Sequence, residues 1–102
     1  MDTEQQIRLN FLDEAEEYFN LMESNLLGLA DTAINAQKVD LVLRAAHSIK
    51  GGAAMMSFNT LSQVAHRLED FFKILRVRYA GETVSVEVET LLLQSVDYLR
   101  NL

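Results

Sequence analysis

His47 is followed by Lys50 and by two adjacent glycines, Gly51 and Gly52, in a stretch whose apolar spacing is otherwise helical. Imidazole offers a nucleophilic ring nitrogen near neutral pH, and whatever holds one nitrogen decides what the other can do. Glycine inside a helix costs roughly 1 kcal/mol relative to alanine. An adjacent pair beside a histidine therefore marks a place where side-chain-free surface is worth a weaker helix, and such local rule-breaking points to a site.

A second group completes the constellation. Ser57-Phe58-Asn59 interrupts the helical pattern, and the segments on either side read as a hairpin about Phe58. Residues equidistant from the turn then lie level, which pairs His47 with Glu69 and Lys50 with His66. A carboxylate accepting Nδ1–H fixes the tautomer and leaves Nε2 free as a nucleophile. Lys50 could steady the charge of an incoming phosphoryl group, and Gly51 would leave room for a partner to close over the ring. The chemistry this suggests is a histidine that carries a phosphoryl group, with the catalytic machinery supplied by other domains.

Two other readings compete. His47, His66 and Glu69 could offer three zinc ligands, against which Lys50 would repel the cation and no carboxylate is placed to support the ligands. Alternatively, the exposed patch only docks a partner, as in a plain helical interaction module. Leu43, one turn before His47, is either an apolar docking contact or the edge of the core. Met55 and Met56 are expected to fill the core near the turn.

The elements that must position these residues are helices. The chain has no proline and four glycines in 102 residues, and its apolar residues recur at three-and-four spacing. The first helix is expected from Ile7 through Leu29, and polar residues Asp31 to Lys38 supply a turn. A second begins near Val39 or Asp40, with Leu41/Val42, Ala45, Ile49, Ala53 and Met56 as its core stripe. Thr60-Leu61-Ser62-Gln63 has the form of a capping box that starts a third, whose core stripe is Leu61, Val64/Ala65, Leu68, Phe71/Phe72 and Leu75. Gly81 is placed to end it. A fourth runs from about Ser85, with Val88, Leu91/Leu92, Ser95/Val96, Leu99 and Leu102 on one side. The expected fold is an all-α, up-down antiparallel four-helix bundle forming one domain over 1–102.

Composition narrows the function. Nine Lys+Arg stand against fifteen Asp+Glu, a net charge of −6, which opposes binding to nucleic acid or an acidic membrane surface. Without cysteine there is no thiol catalysis, disulfide or thiolate metal site, in keeping with a reducing cytoplasm. The polar, acidic N-terminus lacks the pattern of a signal peptide, and no apolar run approaches a membrane span. The expectation is a soluble cytoplasmic chain.

The strings Arg44-Ala45-Ala46-His47-Ser48-Ile49-Lys50-Gly51-Gly52-Ala53 and His66-Arg67-Leu68-Glu69 resemble those of histidine phosphotransfer (HPt) domains. The likeness is closer to the N-terminal phosphoacceptor domain of chemotaxis-type histidine kinases of the CheA family. The resemblance implies that His47 is phosphorylated by a histidine kinase ATP-binding domain and passes the group to an aspartate of a response-regulator receiver domain. It implies that Glu69, Lys50 and His66 surround the acceptor ring. Leu43, Arg44, Gly51, Gly52 and Ala54 are the expected docking residues. ATP and Mg would be bound by the kinase domain, with no cofactor here. The chain would be one module of a longer kinase, monomeric when isolated. Many relatives carry glycine where this sequence has Ser57, so the backbone of that turn is where a difference is expected.

Overall fold

The computed structural model describes residues 2–79 and 81–102, and among them the secondary structure is four α-helices. These are α1 (Thr3–Leu26), α2 (Ala36–Met55), α3 (Asn59–Arg78) and α4 (Val86–Arg100). They form the expected antiparallel bundle, 48 × 20 × 19 Å. α2 packs most intimately on α3 and on α1, α4 leans on α1, and α3 and α4 touch only sparsely.

Local signals account for the helix limits. α1 starts earlier than expected because Asp2 and Gln5 make a reciprocal cap: Gln5 N–H donates to Asp2 Oδ1 (2.7 Å) and Asp2 N–H to Gln5 Oε1 (3.3 Å). α1 ends at Leu26, before the expected Leu29, and Gly28 supplies the left-handed turn that follows (φ +83°). Leu29 is buried all the same, from the connection. Asn35 caps α2 by accepting from Gln37 N–H at 2.8 Å, which moves its start upstream of Val39. Ser85 caps α4 through Val88 N–H at 3.2 Å. The capping box read at Thr60 does not form. α3 begins at Asn59, with Phe58 in the cap position and no side-chain hydrogen bond there. What fixes this end is packing, since Phe58 stacks on Phe11 of α1 with ring centroids 6.1 Å apart.

Burial resolves the paired candidates. Val42, Ala65, Phe72, Leu92 and Val96 are buried, whereas Leu41, Phe71 and Leu91 are exposed. Phe71 and Leu91 line an open groove between α3 and α4. Leu102, expected in the core, lies past the end of α4 and is exposed. Met55 is 81% exposed, because the stripe carrying Ala45, Ile49 and Ala53 has rotated away from it by the last turn of α2. Met56 is half-buried.

At the far end of the bundle the two connections are joined by backbone. Ile34 N–H donates to Glu82 O (2.7 Å) and Gly81 N–H to Ile34 O (2.9 Å). Glu89 of α4 accepts from Ala30 N–H at 2.7 Å. These bonds satisfy loop groups that would otherwise be left unpaired and close the end opposite the α2–α3 turn.

Candidate functional site

The α2–α3 hairpin brings His47 and Glu69 together as their equal distance from the turn requires. His47 Nδ1 lies 2.6 Å from Glu69 Oε2, and Lys50 Nζ donates to Glu69 Oε1 at 2.8 Å. Farther from the turn by the same number of residues on each helix, Arg76 Nε meets Asp40 Oδ1 at 2.8 Å. The register therefore holds along the hairpin. Nearer the turn, Ser62 Oγ donates to the carbonyl of Lys50 at 3.0 Å, a tie that no pattern in the sequence announced.

Exposure within the pair is unequal, and this decides the roles. The Glu69 side chain is 5% exposed, whereas that of His47 is 67% exposed. Burial alone would raise the Glu69 pKa, but hydrogen bonds from Lys50 and His47, with their charges, outweigh it and hold the carboxyl below its ordinary value. An ionised carboxylate can only accept, so the short contact requires the proton on His47 Nδ1. In the neutral ring the lone pair is then on Nε2, on an imidazole open to solvent.

Lys50 holds the carboxylate in place in its present pose. Its ammonium is committed to Glu69 and its side chain is 26% exposed, so neutralising an incoming anion means sharing it between two acceptors. Lys73, one turn after Glu69, has its Nζ 4.0 Å from Oε1. His66 flanks the same carboxylate, with a ring nitrogen within 4.8 Å of a Glu69 oxygen. It is exposed on α3 and its Nε2 sits 3.8 Å from Asp70 Oδ2.

The zinc trio read from the sequence is not assembled. The donor atoms that do lie within 4.8 Å of one another belong to His66, Glu69 and Asp70, and Glu69 already serves His47 and Lys50 with both oxygens. His47 belongs to a hydrogen-bonded pair instead.

The docking candidates separate into two sets. Arg44, Gly51 and Ala54 are exposed around His47, and a Cβ on Gly51 would meet nothing within 4 Å. Leu43 is half-buried and packs against the core. Gly52 needs correcting: a Cβ there would fall 2.7 Å from Phe11 Cδ1 and closer still to Cε1. Its missing side chain admits the α1 ring, so the adjacent glycines, about 100° apart around α2, serve different faces of it.

The turn past the site is a Schellman motif, with Phe58 N–H bonded to Ala53 O (2.8 Å) and Ser57 N–H to Ala54 O (3.2 Å). Ser57 occupies the position normally given to glycine and takes φ +64°, the left-handed region that disfavours a Cβ. The backbone therefore keeps the glycine-like shape although the residue is serine.

Comparison with known proteins agrees with this geometry. The Hpt domain family profile matches residues 6–102. The chain is 37% identical over 91 residues to chemotaxis protein CheA of Treponema pallidum, covering 89% of this chain and 11% of that protein. It is 39% identical over 83 residues to chemotaxis protein CheA of Klebsiella aerogenes, covering 78% and 13%. The chain thus spans only a small part of the curated relatives it matches. Among solved structures, the CheA phosphotransferase domain from Thermotoga maritima superimposes with a TM-score of 0.80 at 22% identity, covering 99% of this chain and 93% of that one. A buried carboxylate gripping an exposed imidazole within such a bundle, and a family profile that runs over nearly the whole sequence, lead to one conclusion: the chain belongs to the Hpt domain family of phosphotransfer modules.

Proposed function

We propose that His47 Nε2 is the phosphoryl acceptor of this domain. The observation that carries the reading is the 2.6 Å contact between His47 Nδ1 and the buried Glu69 carboxylate beneath a largely exposed ring. In the first transfer the Nε2 lone pair attacks the γ-phosphorus of ATP held by a histidine kinase domain. The Nε2–P bond forms, the bond to the bridging oxygen breaks, and ADP leaves. The ring becomes positively charged, with its proton still on Nδ1, and Glu69 stabilises that charge where it develops. In the second transfer a receiver-domain aspartate oxygen attacks phosphorus, the N–P bond breaks, and a neutral imidazole departs. Because Nδ1 keeps its proton throughout, the leaving nitrogen never becomes an anion.

Lys50 supports both steps by holding Glu69 and by adding positive charge next to the phosphoryl oxygens. His66 and Asp70 lie on the flank of this site. Nucleotide and Mg belong to the kinase domain on this reading, and the chain is one module of a larger chemotaxis-type kinase, as its short coverage of the CheA relatives suggests. Cytoplasmic location follows from that assignment. None of the helices is long and apolar enough to cross a membrane.

The test is labelling by the kinase's ATP-binding domain with γ-labelled ATP. Wild type takes up label that is lost in acid and kept in base, and His47→Gln takes up none. Equal labelling of the two proteins would overturn the assignment.

A further inference from the structure

The acidic net charge conceals a segregation. α2 and α3 together carry seven Lys+Arg against three Asp+Glu, whereas α1 carries one against six and α4 one against three. The excess is unevenly neutralised. On the α2–α3 hairpin, Asp40 is taken up by Arg76, and Glu69 is buried under His47 and Lys50. Asp70, beside His66, is thus the one exposed acid of the hairpin outside a close pair with Lys or Arg. Arg44, a turn before His47 on the same face, is exposed and has no acidic partner among the described residues. Lys73 is 61% exposed and stands 4.0 Å from Glu69, so its charge projects into solvent.

We propose that the α2–α3 face is an electrostatic receiving surface that concentrates anionic phosphoryl donors about His47, with Arg44 and Lys73 as its steering charges. The proposal rests on the assignment of His47 as acceptor and adds how an acidic domain meets an acidic substrate. A uniform charge of −6 would repel a phosphoryl dianion from every side. Segregation reverses the sign locally, because exposed charges act over about a Debye length, ~10 Å at 0.1 M salt, and a surface of one sign raises the local concentration of the opposite ion. The acids of α1, among them Glu14 and Glu17, face solvent on another helix.

Phosphoramidate provides the probe, since it needs no partner protein. Nε2 attacks its phosphorus, the P–N bond breaks, and ammonia leaves. Initial rates of His47 phosphorylation are measured on the purified chain between ~10 mM and ~300 mM salt, the range over which screening shrinks from tens of ångströms to a few. The wild-type rate is expected to fall several-fold over that range. The double variant Arg44→Glu/Lys73→Glu is expected to be about tenfold slower at low salt and within about threefold of wild type at high salt, as screened Coulomb interactions of this size require. Glu14→Lys/Glu17→Lys, a charge change of equal size and opposite sign on α1, is expected to shift the rate less than twofold at ~0.1 M salt and above, and by less than the α2–α3 variant at every salt.

A wild-type rate indifferent to salt overturns the proposal. So does a double variant equally slow at all salts, or an α1 variant that accelerates as much as the other slows. If charge reversal unfolds the domain, Arg44→Gln/Lys73→Gln is expected to flatten the salt dependence, and an unchanged slope overturns the idea equally. Labelling that persists in His47→Gln would instead strike at the acceptor assignment and is read separately.

Discussion

The bundle contains two ion clusters of opposite polarity. Between α2 and α3 an acid, Glu69, is ringed by cationic or cationisable groups, His47 and Lys50 in contact and Lys73 at 4.0 Å. Between α1 and α4 a cation, Arg100, is ringed by acids. Its Nη1 donates to Glu23 (3.1 Å) and Asp97 (3.2 Å), and its Nη2 donates to Asn20 (3.0 Å). Its guanidinium lies 5.9 Å from the Phe19 ring centroid. Nε is 3.2 Å from Glu16 Oε1 but too far off line to hydrogen-bond. The same electrostatic device thus appears twice, and the difference lies in what it holds. Arginine keeps its charge at all relevant pH and has no nucleophilic lone pair, so its cluster can only clamp. Glu69 grips a ring with one nitrogen spare, so its cluster can take part in chemistry.

The contrast breaks most visibly at Glu69. Replacement by alanine should slow His47 phosphorylation about 100-fold, the scale on which oriented acid–base groups act, while the helical circular dichroism stays. A fold lost along with the rate would make Glu69 a second clamp. Arg100→Met should do the opposite, lowering stability by ~1–3 kcal/mol, as expected for lost hydrogen bonds to charged groups, with the phosphorylation rate of the folded protein unchanged.

Acid separates the clusters further. Because the Glu69 pKa is held below its ordinary value, the unfolded chain binds more protons in the interval between the two values, and stability rises with pH there. The contribution is fully present above the ordinary carboxylate pKa and is lost as pH falls through the folded value. Denaturant midpoints should therefore show the gap between wild type and Glu69→Gln narrowing below about pH 4.5. A gap that stayed constant to low pH would mean the carboxylate gains nothing from its partners.

Two smaller tests sharpen the comparison of the two sides of α2. Gly52→Ala should destabilise by about 1–2 kcal/mol through overpacking against Phe11, whereas Gly51→Ala, with open space, should gain up to ~1 kcal/mol from helix propensity. Equal thermal shifts for the two would remove the distinction. Ser57→Gly should raise stability by roughly 0.5–1 kcal/mol by relieving a left-handed residue, and thermal melting suffices to see it.

Much of this was legible from residues alone, and the reasons differ by feature. The helices could be read because their apolar spacing is strong, and the level pairing of His47 with Glu69 followed from counting away from Phe58. Caps were harder to place. Asp2 and Gln5 form a box that had no apolar run beside it to draw attention, while Thr60 matched the box pattern but lost to Phe58, which is anchored by a ring on another helix. Gly52 was indistinguishable from Gly51 by sequence, because the partner that needs its space lies about forty residues away in α1. The same counting puts Lys50 level with His66, and both are found about the Glu69 carboxylate, but it does not say that the ammonium bonds Glu69. A lysine is long enough to reach Glu69 from its own level, and side-chain reach is not encoded in register. Choosing between members of apolar doublets such as Phe71 and Phe72 required knowing where α4 leaves its groove open.

A single imidazole on the flank of a rod 48 Å long can sit in one pocket at a time. With His47 as the proposed acceptor, a donor closed over that ring would hide it from a receiver, so no ternary assembly could hand the group across directly. The module must be released, diffuse or swing, and be recaptured, and its throughput is bounded by how briefly each host holds it.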